Sequence, residues 1–451
     1  MTKTVNIREL VLEMLMQVTE EGGYSHIVLR EVLEKYQYLE KRDRSFLTRV
    51  FEGTLENMIQ IDYIIGCFSK VKVEDMKPLI RDLLRLSVYQ LKYMDSIPDS
   101  AVCNEAVKIA QRRGFYNLKG FVNGVLRSVA RGIAQVEYPD EKKEPEKFLS
   151  VTYSMPEWIL EKWLLQFDYA VVKRICEAFH EEQPTTIRCN LNMATLEEVS
   201  ESLKGEGIEV KKVPYLDYAL QIRNYNYLKA ITSFKKGWFQ VQDVSSMLVA
   251  EIAAPQWGDY CIDVCAAPGG KSLHLADKLK GSGYVEARDV TDYKVALMQE
   301  NIDRINSVNM EAVLADATVF DPKSVEKADI LIADVPCSGL GVLGKKADIK
   351  YKMSAAKQQE IIKLQRKILD TVYQYVKVGG TLIYSTCTIG ADENQYNVKW
   401  FLDHYPFRLD SIDPYISDEL KSKSTKAGYL QLLPGVHKAD GFFISRFKRI
   451  S

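Results

Sequence analysis

Apolar residues recur at three- and four-residue spacing through the first part of the chain. Ile7, Leu10, Val11, Met14, Leu15 and Val18 line one face of a helix, and residues 79–93 and 101–110 repeat the pattern. A further helix is predicted over 117–131, with Phe121, Val122, Val125, Leu126 and Val129 turned inward. No β-branched run interrupts them, so residues 1–134 are predicted to form an all-α domain. Residues 135–147 carry Pro139, Pro145 and mixed charges without a period, and read as a linker.

The period then changes twice. Pro156 opens a helix with the apolar stripe Trp158, Ile159 and Trp163. Strand-like segments at 185–191, 208–213, 219–222 and 238–241 surround a helix at 196–204. Residues 148–240 therefore read as a small α+β domain with an antiparallel sheet. From about residue 243, short apolar strands (260–264, 284–290, 311–314, 329–333, 381–385) alternate with helices such as 293–305 and 354–376. Alternation of this kind predicts a doubly wound parallel sheet, so residues 241–451 read as a Rossmann-like α/β domain.

Length and composition fit that division. A chain of 451 residues exceeds one compact core, and 46% hydrophobic with 27% charged residues is ordinary for a globular protein. No apolar run reaches bilayer length, and Glu9 and Glu13 interrupt any leader-like stretch, so a cytoplasmic location without membrane contact is expected. Eight cysteines without a CxxC pair, and only five histidines, argue against a metal site. The net charge of −1 is unevenly spread: basic stretches run from Lys108 to Arg131, Arg223 to Lys236 and Lys345 to Lys357. Any one could be a plain solvated face, but three together suggest phosphate-binding surfaces.

The loop after the first strand of the α/β domain reads Asp263-Val-Cys265-Ala266-Ala267-Pro268-Gly269-Gly270-Lys271-Ser. Its glycine pair lets the backbone turn tightly and approach a ligand at the carboxyl edge of the sheet. A phosphate-binding P-loop would need glycine where Cys265 stands, and a dinucleotide site would need GxGxxG. S-adenosylmethionine fits better, because acids follow at successive strand ends. Asp289 is placed for the ribose hydroxyls, Asp316 for the adenine, and Asp334 for the methionine end and the reacting base. Strand-end acids also cap helices, which is the competing explanation for each taken singly.

Two cysteines sit in strand-end segments, Asp334-Val-Pro-Cys337 and Ser385-Thr-Cys387. Adjacent strands would bring them together although 50 positions (387 minus 337) separate them. A thiolate that adds to carbon 6 of cytosine makes carbon 5 nucleophilic toward a sulfonium methyl. Asp334 could assist at nitrogen 3, and a second thiol could help expel the first. Methylation of an exocyclic amine needs no thiol, so the cysteines point to a ring carbon.

These motifs resemble those of the RNA 5-methylcytosine methyltransferases of the Sun group. The likeness rests on the loop 265–271, on Cys337 and Cys387, and on the tail Pro434-Gly-Val-His-Lys-Ala-Asp-Gly-Phe-Phe443. It implies that Cys387 is the nucleophile and that Cys337 assists product release. The amino-terminal region is similar to the antitermination factor NusB, through Asn104-Glu-Ala-Val107 and Phe121-Val-Asn-Gly-Val-Leu-Arg127. Together the two resemblances imply S-adenosylmethionine as cofactor and 16S rRNA, or a small-subunit assembly intermediate, as partner. One stretch departs from the family: an Arg-Arg-x-Pro-Asp-like pattern is replaced by Lys345-Lys346-Ala347-Asp348. The rival expectation is a non-catalytic RNA-binding assembly factor on a methyltransferase fold, with a P-loop NTPase third.

Overall fold

The computed structural model describes residues 5–451, and the chain divides into two units. One comprises residues up to Glu181 together with Leu343–Met353, the other Glu182–Val342 with Ser354–Ser451. The division does not fall at residue 148, where the sequence pattern places the start of the middle domain.

The first unit is helical. Ile7–Thr19, Ser25–Lys35, Lys41–Glu56, Met58–Phe68, Pro78–Tyr93, Asp99–Arg112 and Lys119–Gly132 pack around a core that includes Val11, Leu47, Phe51, Ile61, Leu83, Leu84, Val122 and Leu126. Asn6 caps the first helix by accepting from the Glu9 amide at 3.0 Å. Pro78 starts the most buried helix, where its missing N–H costs nothing.

Residues 135–147 are not a free linker. The Tyr63 hydroxyl donates to the Glu137 carbonyl at 2.7 Å, Lys92 reaches the Tyr138 hydroxyl at 2.7 Å, and Tyr138 stacks on Tyr63. Pro145 then opens the helix Pro145–Thr152, and Gln60 donates to the carbonyls of Val151 and Thr152. Aromatic side chains on a neighbouring helix supplied partners that local composition could not reveal.

The Leu343–Met353 segment departs further from its sequence reading as an exposed basic face. Lys350 is 4% exposed and donates to the Glu56 carbonyl at 2.9 Å, and Tyr351 donates to the Leu55 carbonyl at 2.8 Å. Asp348 accepts from the amide and hydroxyl of Ser25, at 3.1 and 2.5 Å. Burial pushes the Lys350 ammonium down to about 7, against the pull of Glu56. These residues fasten a strap into the helical unit, and Lys350 is not available to phosphate.

The second unit holds two sheets. The smaller has strands β1 (Thr185–Cys189), β2 (Glu209–Lys212), β3 (Ala219–Arg223) and β4 (Phe239–Val241), all antiparallel in the order β2-β3-β1-β4. The helix Leu196–Gly205 packs Val199 and Leu203 on it, and Thr195 and Glu198 close a capping box at its start.

The larger sheet comprises β5 (Tyr260–Asp263), β6 (Tyr284–Asp289), β7 (Met310–Leu314), β8 (Ala328–Asp334), β9 (Val376–Thr386), β10 (Phe407–Leu409), β11 (Tyr429–Leu432) and β12 (Phe442–Arg449). Five strands run parallel in the order β9-β8-β5-β6-β7. The chain starts in the middle at β5, winds out to β7, then returns to β8 on the other side. The switch point between β5 and β8 opens a crevice at their carboxyl ends. An edge not anticipated in the sequence follows: β12 runs antiparallel beside β9, with β10 and β11 antiparallel to β12. Among the described residues no helix is long and apolar enough to cross a membrane.

Candidate active site

β5 ends on Asp263, which is fully buried. Its carboxylate accepts from the Ser272 hydroxyl at 2.6 Å and from the Cys265 amide at 3.4 Å. Burial pushes the Asp263 carboxyl up to about 7, and the Ser272 bond opposes that rise. The loop that follows turns at Gly269, whose φ of +99° is a conformation that favours glycine, and the helix Gly270–Leu279 begins at once. Ala266 donates to the Arg288 carbonyl at 2.8 Å, and Ala267 to the Asp289 carboxylate at 3.0 Å. Asn301 donates to the Pro268 carbonyl at 3.1 Å. Burial pushes the Cys265 thiol far up, so this loop cysteine stays neutral.

Asp289, at the end of β6, also accepts from the Val290 amide at 2.7 Å and pairs with Lys294 at 3.0 Å. It is thus a hinge pin of the loop as well as an acid beside it. Asp316 is exposed after β7 and turns back on Thr318, accepting from its amide and hydroxyl at 2.8 Å each. Those bonds hold its carboxyl below the usual range. Local capping, the competing explanation for strand-end acids, describes Asp316 as it stands.

The carboxyl ends of β8 and β9 bring Asp334, Cys337, Ser385 and Cys387 together with Lys271. Lys271 Nζ lies 2.7 Å from Asp334 Oδ2, and Ser385 Oγ donates to Asp334 Oδ1 at 2.7 Å. Burial is the largest influence and works against the Lys271 ammonium, but Asp334, Asp263 and Cys387 together outweigh it, so its pKa is raised. The ring of Phe442 lies 5.3 Å from the same nitrogen. Beside this pair the sulfurs of Cys337 and Cys387 approach to 3.1 Å, and the Cys387 amide donates to Cys337 Sγ at 3.2 Å. The hydrogen bond to Cys387 is the largest cause, with burial second, of a Cys337 pKa far above the ordinary thiol value.

Three parts of this arrangement carry no motif. Glu393 is fully buried behind Cys337 and accepts from the Ser338 amide at 2.9 Å, Gln358 at 2.9 Å and Gln365 at 3.0 Å. Gly341 donates to the Cys387 carbonyl at 2.9 Å and accepts from the Gly441 amide at 2.9 Å, tying the two cysteine loops to the tail. Ser338 bonds Thr388 at 2.9 Å across the same loops. Glu393 carried one faint signal, an acid six positions after Cys387 (393 minus 387).

Comparison with known proteins shows the family. Residues 250–448 match the family described as 16S rRNA methyltransferase RsmB/F. Residues 5–131 match the NusB family, and 155–227 the ferredoxin-like domain of RsmF/B-like methyltransferases. The Bacillus subtilis (strain 168) protein named "Probable ribosomal RNA small subunit methyltransferase B" is 34% identical over 451 residues, 99% of each chain. A protein of the same name from Synechocystis sp. (strain PCC 6803) is 30% identical over 99% of this chain and 100% of that one. The crystal structure of PH0851 superposes with a TM-score of 0.82 at 24% identity, over 99% of both chains, and so shares the fold. By full-length identity above 30% and by the order of its three domains, the chain belongs to the RsmB/F family of 16S rRNA methyltransferases.

Proposed function

We propose that this protein transfers a methyl group from S-adenosylmethionine to carbon 5 of a cytosine in 16S rRNA, through a covalent bond between Cys387 and carbon 6. The observation that carries this reading is the pair of sulfurs 3.1 Å apart beside the Lys271–Asp334 ion pair. The cofactor fits the donor set: a glycine-turned loop at a helix start, with a buried acid at the next strand end. Residues 265–271 and Asp289 would hold it, and when bound it supplies the electrophilic methyl.

The chain's own residues do the rest. The Cys387 thiolate adds to carbon 6, and the ring electrons move to carbon 5. Lys271, held by Asp334, provides the cation that steadies charge developing on the pyrimidine. After methyl transfer the carbon 5 proton passes to water, its bonding pair restores the ring double bond, and the carbon 6–sulfur bond breaks with its electrons returning to Cys387. The Cys337 thiol faces that leaving sulfur. Methyl-labelled cofactor, small-subunit particles and bisulfite mapping test the reading. Label on a cytosine ring carbon is the expected result. RNA binding without label would favour the non-catalytic assembly factor instead.

Asp289→Ala is expected to weaken cofactor binding by roughly ten- to a hundredfold, the cost of losing hydrogen bonds to a charged acceptor. Release of the Ala267 amide from the same carboxylate adds to the loss. Calorimetry with S-adenosylmethionine checks it, and unchanged affinity would remove Asp289 from the site.

The helical unit would supply RNA affinity, though its basic run is smaller than a linear count suggests. Arg112 pairs with Glu9 and Glu105 at 3.2 and 3.0 Å, and Arg113 pairs with Glu9 at 2.8 Å and with Glu13. Lys119, Arg127 and Arg131 are exposed on the helix Lys119–Gly132. Reversing these three to Glu is expected to weaken RNA binding and reduce its log–log salt slope by about 2–3, at roughly 0.7–0.9 per lost phosphate contact. An unchanged slope would mean that this face does not meet the backbone.

A further inference from the structure

The two thiols at the strand ends are alike in type and only 3.1 Å apart, so something must make one the nucleophile and the other its helper. The difference lies in what surrounds each. On the Cys387 side stands a cation, Lys271, whose charge is strengthened by Asp334 and by Cys387 itself. On the Cys337 side stands an anion, Glu393, fully buried and reached by three neutral N–H donors. The Ser338 amide is one of them, so the carboxylate holds the turn that carries Cys337 from one residue away.

We propose that Glu393 is a positioning residue of the second thiol: it fixes the Cys337 turn through the Ser338 amide and keeps Cys337 protonated, so that Cys337 donates its hydrogen bond to Cys387. This deepens the cytosine reading above and rests on it. A negative charge kept out of water disfavours a second one nearby, and its field is weakly screened in so buried a place. The same conclusion follows from the direction of the Cys337 shift, to which Cys387, burial and Glu393 all contribute upward.

The consequence is a division of labour. Before attack, the S–H of Cys337 stabilises the Cys387 thiolate. During release, the carbon 6–sulfur bond breaks, its electron pair goes to Cys387, and the same S–H receives that charge. The proton on Cys337 is not transferred in either step. Glu393 acts on both steps through Cys337, but its effect should be greatest on release: a hydrogen bond to the thiolate holds more of it ready for attack while lowering its nucleophilicity, so the two offset, whereas on release it only helps the sulfur to depart.

Gln358 and Gln365 extend the network from the helix Ala355–Val372. Gln365 also donates to the Pro336 carbonyl at 3.0 Å, the residue before Cys337. The turn is thus held on both sides of the thiol. The titratable groups facing Cys337 are Cys387, Glu393 and Tyr384, with Arg366 behind Tyr384; the Gly339 amide also bonds the thiol. The Lys271–Asp334 pair lies beyond Cys387.

The test is single-turnover kinetics of the full chain with S-adenosylmethionine and 16S rRNA, scoring covalent adduct formation and release separately between pH 7 and 10. Cys337→Ala sets the reference, an adduct that forms and persists. Glu393→Gln keeps the shape and removes the charge. It should form adduct near the wild-type rate, while the alkaline fall in release begins at lower pH. Glu393→Ala also frees the Ser338 amide and should slow release by about tenfold or more. Cofactor affinity should stay unchanged in both, which excludes unfolding. If Cys337→Ala gathers no adduct, the role of the second thiol fails. If it does, but both Glu393 variants release as wild type at every pH, or slow formation and release equally, the inference about Glu393 is overturned.

Discussion

Cys387→Ala is expected to abolish methylation and leave no covalent RNA adduct, whereas Cys337→Ala is expected to gather a protein–RNA complex that survives denaturing electrophoresis. The split follows from order in time. In the proposed mechanism Cys387 adds to carbon 6 first, and its removal deletes the step that makes carbon 5 nucleophilic. Cys337 lies 3.1 Å from the sulfur that would leave, so in that mechanism its removal acts after methyl transfer. The effects should not add: the double variant should look like Cys387→Ala, because release matters only once attack has occurred. A Cys387→Ala loss below tenfold, about 1.4 kcal/mol of barrier, would mean that the thiols are packing rather than chemistry. Trapping by Cys387→Ala and not by Cys337→Ala would reverse the roles.

The parallel strands and the loop between β5 and its helix were legible because both are local. Cys261 and Ile262 in β5, or Leu331, Ile332 and Ala333 in β8, are buried on both faces and read as apolar runs. Gly269 and Gly270 mark the tight turn directly. The two cysteines were legible in pairing though distant in sequence, since adjacent strand ends leave them nowhere else to meet. What could not be read depends on partners far along the chain. Lys350 looks like a solvated lysine until the Glu56 carbonyl covers it. Arg112 and Arg113 look like unpaired phosphate ligands until Glu9 is seen to pair with both. Asp316 has its place in the series of strand ends, and the bonds it accepts from Thr318, two residues on, are a local feature that the series does not announce. The antiparallel edge was hidden because β10 is only three residues long and β11 passes to β12 with no helix between them. Glu393 had no motif, because a buried acid bound by amides is specified by the fold around it.

Gly341→Ala is expected to lower turnover by about a hundredfold while leaving S-adenosylmethionine affinity in place. A Cβ at this position would lie 1.9 Å from the Gly441 carbonyl oxygen, 2.5 Å from its carbon and 2.8 Å from the Cys387 carbonyl oxygen. All three are backbone atoms, so no side chain can swing away. The same residue donates to Cys387 and accepts from Gly441 at 2.9 Å each, and relief of the clash must part at least one of those bonds. The loop carrying Cys337, the loop carrying Cys387 and the tail at Gly441 would shift relative to one another. A displacement near 1 Å at reacting groups costs on the order of 10²-fold in rate. The loop 265–271 hangs from Asp263 and Asp289 instead, which is why cofactor binding should be spared. Gly66→Ala is the control: it lies in the helix Met58–Phe68 with nothing within 4 Å of an added Cβ, and should gain about 1 kcal/mol of helix propensity without loss of turnover. Turnover in Gly341→Ala equal to wild type would show that the three backbones can part freely, and that the spacing of the two sulfurs does not depend on this contact.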